Sequence, residues 1–289
     1  MDVLDVLRDH PAVLCATVGF VGLCVGSFLN VVIHRLPRMM EAQWRAECAE
    51  LNGAPLPASE PYNLVKPDSR CPSCNAPIRA WQNIPVASWL VLRGRCAACR
   101  APISFRYPAV ELLTAALSVA LALRFGYSAA LPWGLLFIWA LVALTFIDID
   151  TQLLPDDITL PLVWAGLMAN FFGAYVDLAS AVIGAVAGYM VLWLVYWAFR
   201  LIAKKEGMGY GDFKLLAAIG AWTGWQVLPF VIMISAGVGA VIGTVTLVLS
   251  RRGMDTRIPF GPYLALGGLA ALFWGRDAVI AWVGHFPVL

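Results

Sequence analysis

The stretch "ASAVIGAVAGYMVLWLVYWAFR", Ala179 to Arg200, carries no charged side chain until its last residue. A helix of roughly 20 apolar residues, rising 1.5 Å per residue, crosses the hydrocarbon core of a bilayer, so this stretch reads as a transmembrane helix. Similar runs recur on both sides of it, at about 12–34, 108–125, 131–147, 158–176, 213–226, 227–250 and 261–283, which makes about eight. Composition agrees: 61% of the 289 residues are hydrophobic and only 13% charged, with a mean hydropathy of +0.77. Those values exclude an ordinary soluble domain.

The opening "MDVLDVLRDHP" sets Asp2, Asp5 and Asp9 against Arg8, the reverse of the basic start of a cleavable signal peptide, so the first apolar run is expected to stay as an anchor. Orientation follows from Lys and Arg, which are retained in cytoplasmic loops. Half of the 20 basic residues lie between Arg35 and Arg106, and Arg200, Lys204, Lys205, Lys214, Arg251, Arg252 and Arg257 flank later connections on the same side of an eight-span chain. Arg8, Arg124 and Arg276 fall on the other. Both termini are then outside and the long connection 35–107 is cytoplasmic. A net charge of +2 gives no reason to expect nucleic acid as a partner.

That connection is too long for a bare loop and holds "CPSC" and "CAAC". Cys71, Cys74, Cys96 and Cys99 have the spacing of a four-thiolate zinc site, and cytoplasmic thiols stay reduced, which favours metal over disulfides. Such a closed site holds a fold together and does not activate water. The segment between the knuckles, "IRAWQNIPVASWLVLRGR", is apolar and aromatic, pointing to membrane-facing or intramolecular packing. Cys15 and Cys24 read as ordinary buried residues of the first span, and Cys48 carries no role. The expected fold is an all-α polytopic membrane protein of about eight transmembrane helices with a small cytoplasmic zinc-ribbon-like insert. Its divisions are a first helix at 1–36, the insert at 37–107 and a membrane bundle at 108–289.

Charge at membrane depth marks a functional candidate. The third span ends "LTFIDIDTQLLPDD", with Asp148, Asp150, Asp156 and Asp157, and the sixth begins in "GMGYGDFK", with Asp212 and Lys214. Three crossings between them return Asp148 and Asp212 to one boundary. Two carboxyls around one water share a proton, so one can take a proton from attacking water while the other protonates the carbonyl oxygen. Glycines beside Asp212 would let an extended substrate backbone approach; alternatively Asp212 is a helix N-cap. Asp148 and Asp150 lie roughly 200° apart around a helix, so at most one faces a partner. Asp156 and Asp157 follow Pro155 and read as the cap of the next span, with a cation-binding cluster as the alternative. Glu111 either pairs with Arg106 or serves a polar cavity.

Taken together, "GSFLNVVIHRLP", the two CxxC knuckles with "IRAWQNIPVASWL" and "RYPAVELLT", "FIDIDTQLLPD", "GMGYGDFKLLAAIGAW" and "PFGPYLALGG" resemble the bacterial type IV prepilin leader peptidases, which are also N-methyltransferases, across nearly the whole chain. The resemblance implies a GxGD-type intramembrane aspartyl protease of the inner membrane, with Asp148 and Asp212 as the catalytic pair, Asp148 being the one seven positions before Pro155. It implies as substrates prepilins and type II secretion pseudopilins, cut on the cytoplasmic side after a Gly that ends a short basic leader. It also implies methylation of the new N terminus from S-adenosylmethionine. No GxGxxG loop appears at a strand-to-helix junction, so any donor site is expected to be unlike a Rossmann pocket; the insert and the neighbouring span ends are its expected place, with Glu111 and Gly94 as candidates. A proton-coupled transporter would also use paired carboxylates, though it would be expected to carry internal repeats with broken helices. A membrane anchor whose zinc insert recruits a partner would leave Asp148 and Asp212 without a joint task.

Overall fold

The computed structural model describes residues 3–54, 62–204, 208–250 and 259–283. Asp2, Lys205, Gly207, Arg251, Arg252 and Arg257 lie outside the described residues. Each of the eight apolar runs forms a helix. After a short α1 (Val3–Asp9) come α2 (Pro11–Leu51), a five-residue α3 (Ala87–Val91), α4 (Arg106–Phe125), α5 (Ala130–Thr151), α6 (Asp156–Phe171), α7 (Leu178–Ala203), α8 (Tyr210–Thr223), α9 (Leu228–Ser250) and α10 (Gly261–Val283). Among the described residues, five stretches are long and apolar enough to cross a membrane: α2, α4, α5, α7 and Trp225–Val245. The chain is a multi-pass helical membrane protein, and no strand occurs among the described residues.

Contacts divide it into two units, Met1–Tyr127 and Ser128–Leu289. In the first, α2 packs on α4 through small residues. Gly19, Gly22 and Gly26 of α2 face Val119, Ala115 and Ser118, and Glu111 so closely that a methyl group at any of them would fall within 2.9 Å of a neighbour. Small residues that let helix backbones meet are the usual means of membrane helix association, where apolar burial gives no preference between lipid and protein.

Against the expected first span of 1–36, α2 continues unbroken through Pro37 to Leu51. Residues 38–51 are mostly strong helix formers, supported by i,i+4 pairs: Glu41 with Arg45 at 3.6 Å and Gln43 with Glu47 at 2.9 Å. Arg35 is buried, donating to the carbonyls of Asn63 at 2.9 Å and Pro67 at 2.6 Å, which ties the start of the insert to this helix. Nor are Cys15 and Cys24 buried: Cys15, one turn before Gly19 on the glycine face, is half-exposed, and Cys24, on the opposite face of α2, is exposed.

In the second unit α8 is the hub, packed by α6, α7 and α10. Phe213, Leu215, Leu216, Ile219 and Trp222 are fully buried, as expected of a helix apolar on all sides. Gly184 and Gly188 of α7 meet the backbone of α8 at Gly220 and Leu216. At the far end Trp222 donates to the Leu162 carbonyl at 2.8 Å, and Asn170 donates to the carbonyls of Ala221 and Trp222 that α8 leaves free.

Candidate active site and four-cysteine cluster

Asp148 lies in the last turn of α5 and is buried, 5% exposed; Asp212 lies in the first turn of α8, 7% exposed. The two carboxylates are close enough to interact electrostatically. Asp150, on another face of α5, is exposed, as the 200° separation requires. Asp212 is not the N-cap of α8, a position held by Gly209 with no side-chain capping bond. It is the third helical residue, and its carboxylate accepts a hydrogen bond from the Gly209 backbone.

Three chain segments hold this pair. The Gly261 N–H, at the start of α10, donates to Asp148 Oδ2 at 2.9 Å, and the positive end of the α10 dipole faces the same oxygen. Leu154 fills the space between: a methyl at Gly211 would lie 2.7 Å from Leu154 Cβ, and one at Gly261 3.1 Å from Leu154 Cδ2 and 2.6 Å from Asp148 Oδ2. The room left by Gly211 is therefore taken by the protein's own leucine and not by a substrate. Among the described glycines of this loop, Gly209 keeps open space, with Asp212 Oδ2 at 3.7 Å as its one neighbour. Lys214, one turn into α8, grips Asp156 at the start of α6, with Nζ at 2.6 and 2.7 Å from its two oxygens. Asp156 thus serves neither as the cap of α6, which Pro155 occupies, nor in a cation cluster with Asp157. Beside the loop a cavity of about 150 Å³ opens, lined by Val195, Tyr196, Phe199 and Met208.

Sequence reasoning missed Gly261, Leu154 and the Lys214–Asp156 pair. "PFGPY" was visible as a motif, but a backbone donor leaves no mark in residue type. A lysine two places after Asp212 and an acid at a helix start were the available signal for the ion pair.

In the insert the two knuckles repeat one another. Cys71 N–H donates to the Ala76 carbonyl and Cys96 N–H to that of Ala101; Asn75 N–H returns to Cys71 and Arg100 N–H to Cys96. Asn75 and Arg100 both adopt left-handed backbone, with φ of 58° and 63°, and isolated bridges pair Arg70 with Pro77 and Arg95 with Pro102. The four sulfurs all lie within 4.8 Å of one another, and Cys71 Sγ is 3.8 Å from Cys99 Sγ. Tetrahedral ligation with Zn–S bonds of about 2.3 Å requires S···S separations of roughly 3.8 Å, so the cluster fits zinc. Among the described residues it is the one group that could hold a metal. The N–H groups of Cys74 and Ser73 bring the Cys71 thiol down to about 6, and those of Cys99 and Ala98 lower Cys96. At Cys74 the Ala76 N–H is outweighed by the neighbouring sulfurs and by desolvation, which push it up to about 11. A cation would relieve that crowding of charge.

Glu111, buried in α4, accepts from the Val86 N–H at 2.7 Å, fixing Val86 at φ 58°, a conformation rare for a β-branched residue. Gly94 turns the chain at φ +64°, and a methyl there would lie 2.9 Å from Trp89. Both residues thus have packing roles within the insert and its junction with α4.

Residues 20–125 match the bacterial peptidase A24 N-terminal domain, and residues 135–244 the type IV leader peptidase family. The chain is 54% identical over 286 residues to the prepilin leader peptidase/N-methyltransferase of Stutzerimonas stutzeri, covering 98% of each chain. Against the protein of that name from Aeromonas hydrophila it is 54% identical, covering 96% of this chain and 97% of the relative; against that from Pseudomonas aeruginosa it is 52% identical over 95% of both. No solved structure gives a significant match. By this identity, carried over the full length of its relatives, the chain belongs to the type IV leader peptidase family.

Proposed function

We propose that the chain is an intramembrane aspartyl endopeptidase that removes the leader of type IV prepilins and type II secretion pseudopilins, with Asp148 and Asp212 as its catalytic pair. The observation that carries this reading is the meeting of two buried carboxylates from helices 64 positions apart, one held by a backbone N–H of a third segment. The pair holds one proton. Its ionised member takes a proton from water as the oxygen attacks the scissile carbonyl, and the protonated member gives its proton to the carbonyl oxygen. Collapse of the tetrahedral species returns a proton to the departing amine and leaves the pair singly protonated again. The opening beside Gly209 admits the extended backbone, and the half-open apolar cleft beside Met208 takes an apolar side chain.

All eight long apolar helices cross the bacterial inner membrane in this reading, with residues 37–107 and both aspartates on the cytoplasmic side. Zinc held by Cys71, Cys74, Cys96 and Cys99 would stabilise the insert. The names of the relatives support a second activity, N-methylation of the newly exposed N terminus, for which S-adenosylmethionine would supply the methyl group.

Purified protein incubated with a prepilin, and with Asp148→Asn and Asp212→Asn tested singly, decides the first activity. Cleavage is lost in both variants while helical content and unfolding stay normal; full cleavage by either variant removes that residue from the mechanism. Mass spectrometry of the product with and without the methyl donor decides the second.

A further inference from the structure

From Arg70 to Arg106 the insert contains no Asp or Glu, yet it carries Arg70, Arg79, Arg93, Arg95, Arg100 and Arg106. The same stretch leaves large apolar side chains uncovered: Trp81 is 46% exposed, Ile84 53%, Leu90 60%, Val91 74% and Phe105 64%. Burial of that surface in water-facing protein is not offered by the insert itself, whose own apolar contacts centre on Trp89, packed edge-on against Phe105 at 5.8 Å and donating to the Ile103 carbonyl.

The depth of this surface is set by the Val86–Glu111 hydrogen bond of 2.7 Å. Glu111 is the sixth residue of α4, about 7.5 Å along the helix from its start. With 20 residues, α4 spans roughly 30 Å, the thickness of the hydrocarbon core with no length to spare. Its start therefore stands at the boundary between headgroups and acyl chains, and Val86, with α3 following directly, is held by Glu111 about 7.5 Å inside that boundary, within the roughly 5–10 Å that interfacial segments reach. Asn30 of α2 donates to the Tyr107 carbonyl at 3.1 Å, fixing the entry to α4 against the other helix of the unit.

We propose that residues 79–95 lie in the membrane interface: Trp81, Ile84, Leu90 and Val91 enter the boundary between headgroups and acyl chains, and Arg79, Arg93 and Arg95 pair with the phosphates of anionic lipids. The chemistry is that of an interfacial segment, in which apolar side chains and basic residues act together. Arginine stems lie along the apolar surface while their heads reach phosphate, and tryptophan sits at the headgroup level. The occupant is the bilayer that α2 and α4 cross.

The test places a photo-crosslinker in the full-length protein, Val91→p-benzoylphenylalanine, with Ser73→p-benzoylphenylalanine on the exposed knuckle as control. Both are irradiated in nanodiscs made of phosphatidylglycerol with phosphatidylcholine or of phosphatidylcholine alone. Mass spectrometry is expected to find a lipid adduct at position 91 and little at 73, with a higher yield in discs containing phosphatidylglycerol. That excess is expected to be lost when Arg79, Arg93 and Arg95 are changed to Gln. Zinc content of each variant reports that the insert remains folded. A peptide adduct at position 91 would mean that protein covers this face, and a yield no higher than at 73 would mean that water does; either overturns the proposal. Equal yields in the two lipid compositions overturn the pairing with anionic headgroups.

Discussion

Replacing Gly261 with alanine keeps the backbone N–H that Asp148 accepts, and adds only a methyl group. That methyl would lie 2.6 Å from Asp148 Oδ2 and 3.1 Å from its Cγ, where ordinary contact begins at 3.4 Å. The oxygen must retreat by about 0.8 Å. Because the obstacle is the end of a side chain and not backbone, the fold can yield cheaply. Overpacking costs about 1–3 kcal/mol, partly offset by the roughly 0.4–1 kcal/mol that alanine gains over glycine through the unfolded chain. Catalysis is less forgiving: a misplacement of about 1 Å costs on the order of 100-fold in rate, about 2.7 kcal/mol of transition-state stabilisation. Gly261→Ala is therefore expected to lower kcat/KM for prepilin cleavage about 100-fold, while denaturant unfolding reports a loss of no more than about 2.5 kcal/mol. Gly237→Ala, whose methyl would meet nothing within 4 Å, controls for the substitution itself. Wild-type kcat/KM in Gly261→Ala would refute the idea that this glycine positions Asp148.

Lys214→Ala should cost at most about 1 kcal/mol of stability, since the pair is partly exposed. It should still lower kcat/KM by loosening the start of α8, and the exchange Lys214→Asp with Asp156→Lys should restore part of the loss in the same assay. Gly184→Ala drives a methyl into the Gly220 carbonyl of α8, where backbone cannot step aside. It should destabilise toward the upper end of the roughly 1–3 kcal/mol of overpacking, read as a lower unfolding midpoint. Cys71→Ser with Cys74→Ser should reduce bound zinc to background by elemental analysis and expose the insert to protease, while α5–α10 keep their helicity; a wild-type protein without zinc would contradict the cluster's assignment.

The membrane helices were legible because a bilayer demands length and apolarity, and both are written in composition. Their ends were less so. Residues 38–51 of α2 are polar and looked like the start of an insert, though their helix propensity carried the helix onward. The spacing of the four cysteines and the acids at matching span ends announced a cluster and a pair. What the sequence did not disclose is who supports the pair: Gly211 looked like room for a substrate and turns out to be room for Leu154, and the donor to Asp148 is a backbone amide 113 positions away. Glu111 was recognisable as a buried acid, but its partner is a main-chain N–H whose position depends on an unusual φ at Val86 that no local pattern signals.

The two shortest of the eight long helices, α6 with 16 residues and α8 with 14, begin where the paired acids sit. At 1.5 Å per residue they reach about 24 and 21 Å, well short of a hydrocarbon slab about 30 Å thick. On the proposed eight-span reading, the mismatch of α6, whose Leu160 and Trp164 are exposed, is relieved by thinning of the surrounding lipid, and the buried α8 fits within the thinned slab that the acids border. Hydrolysis inside a membrane is usually framed as a problem of conducting water inward; on the proposed reading, short helices beside the paired acids would instead lower the waterline to the reaction.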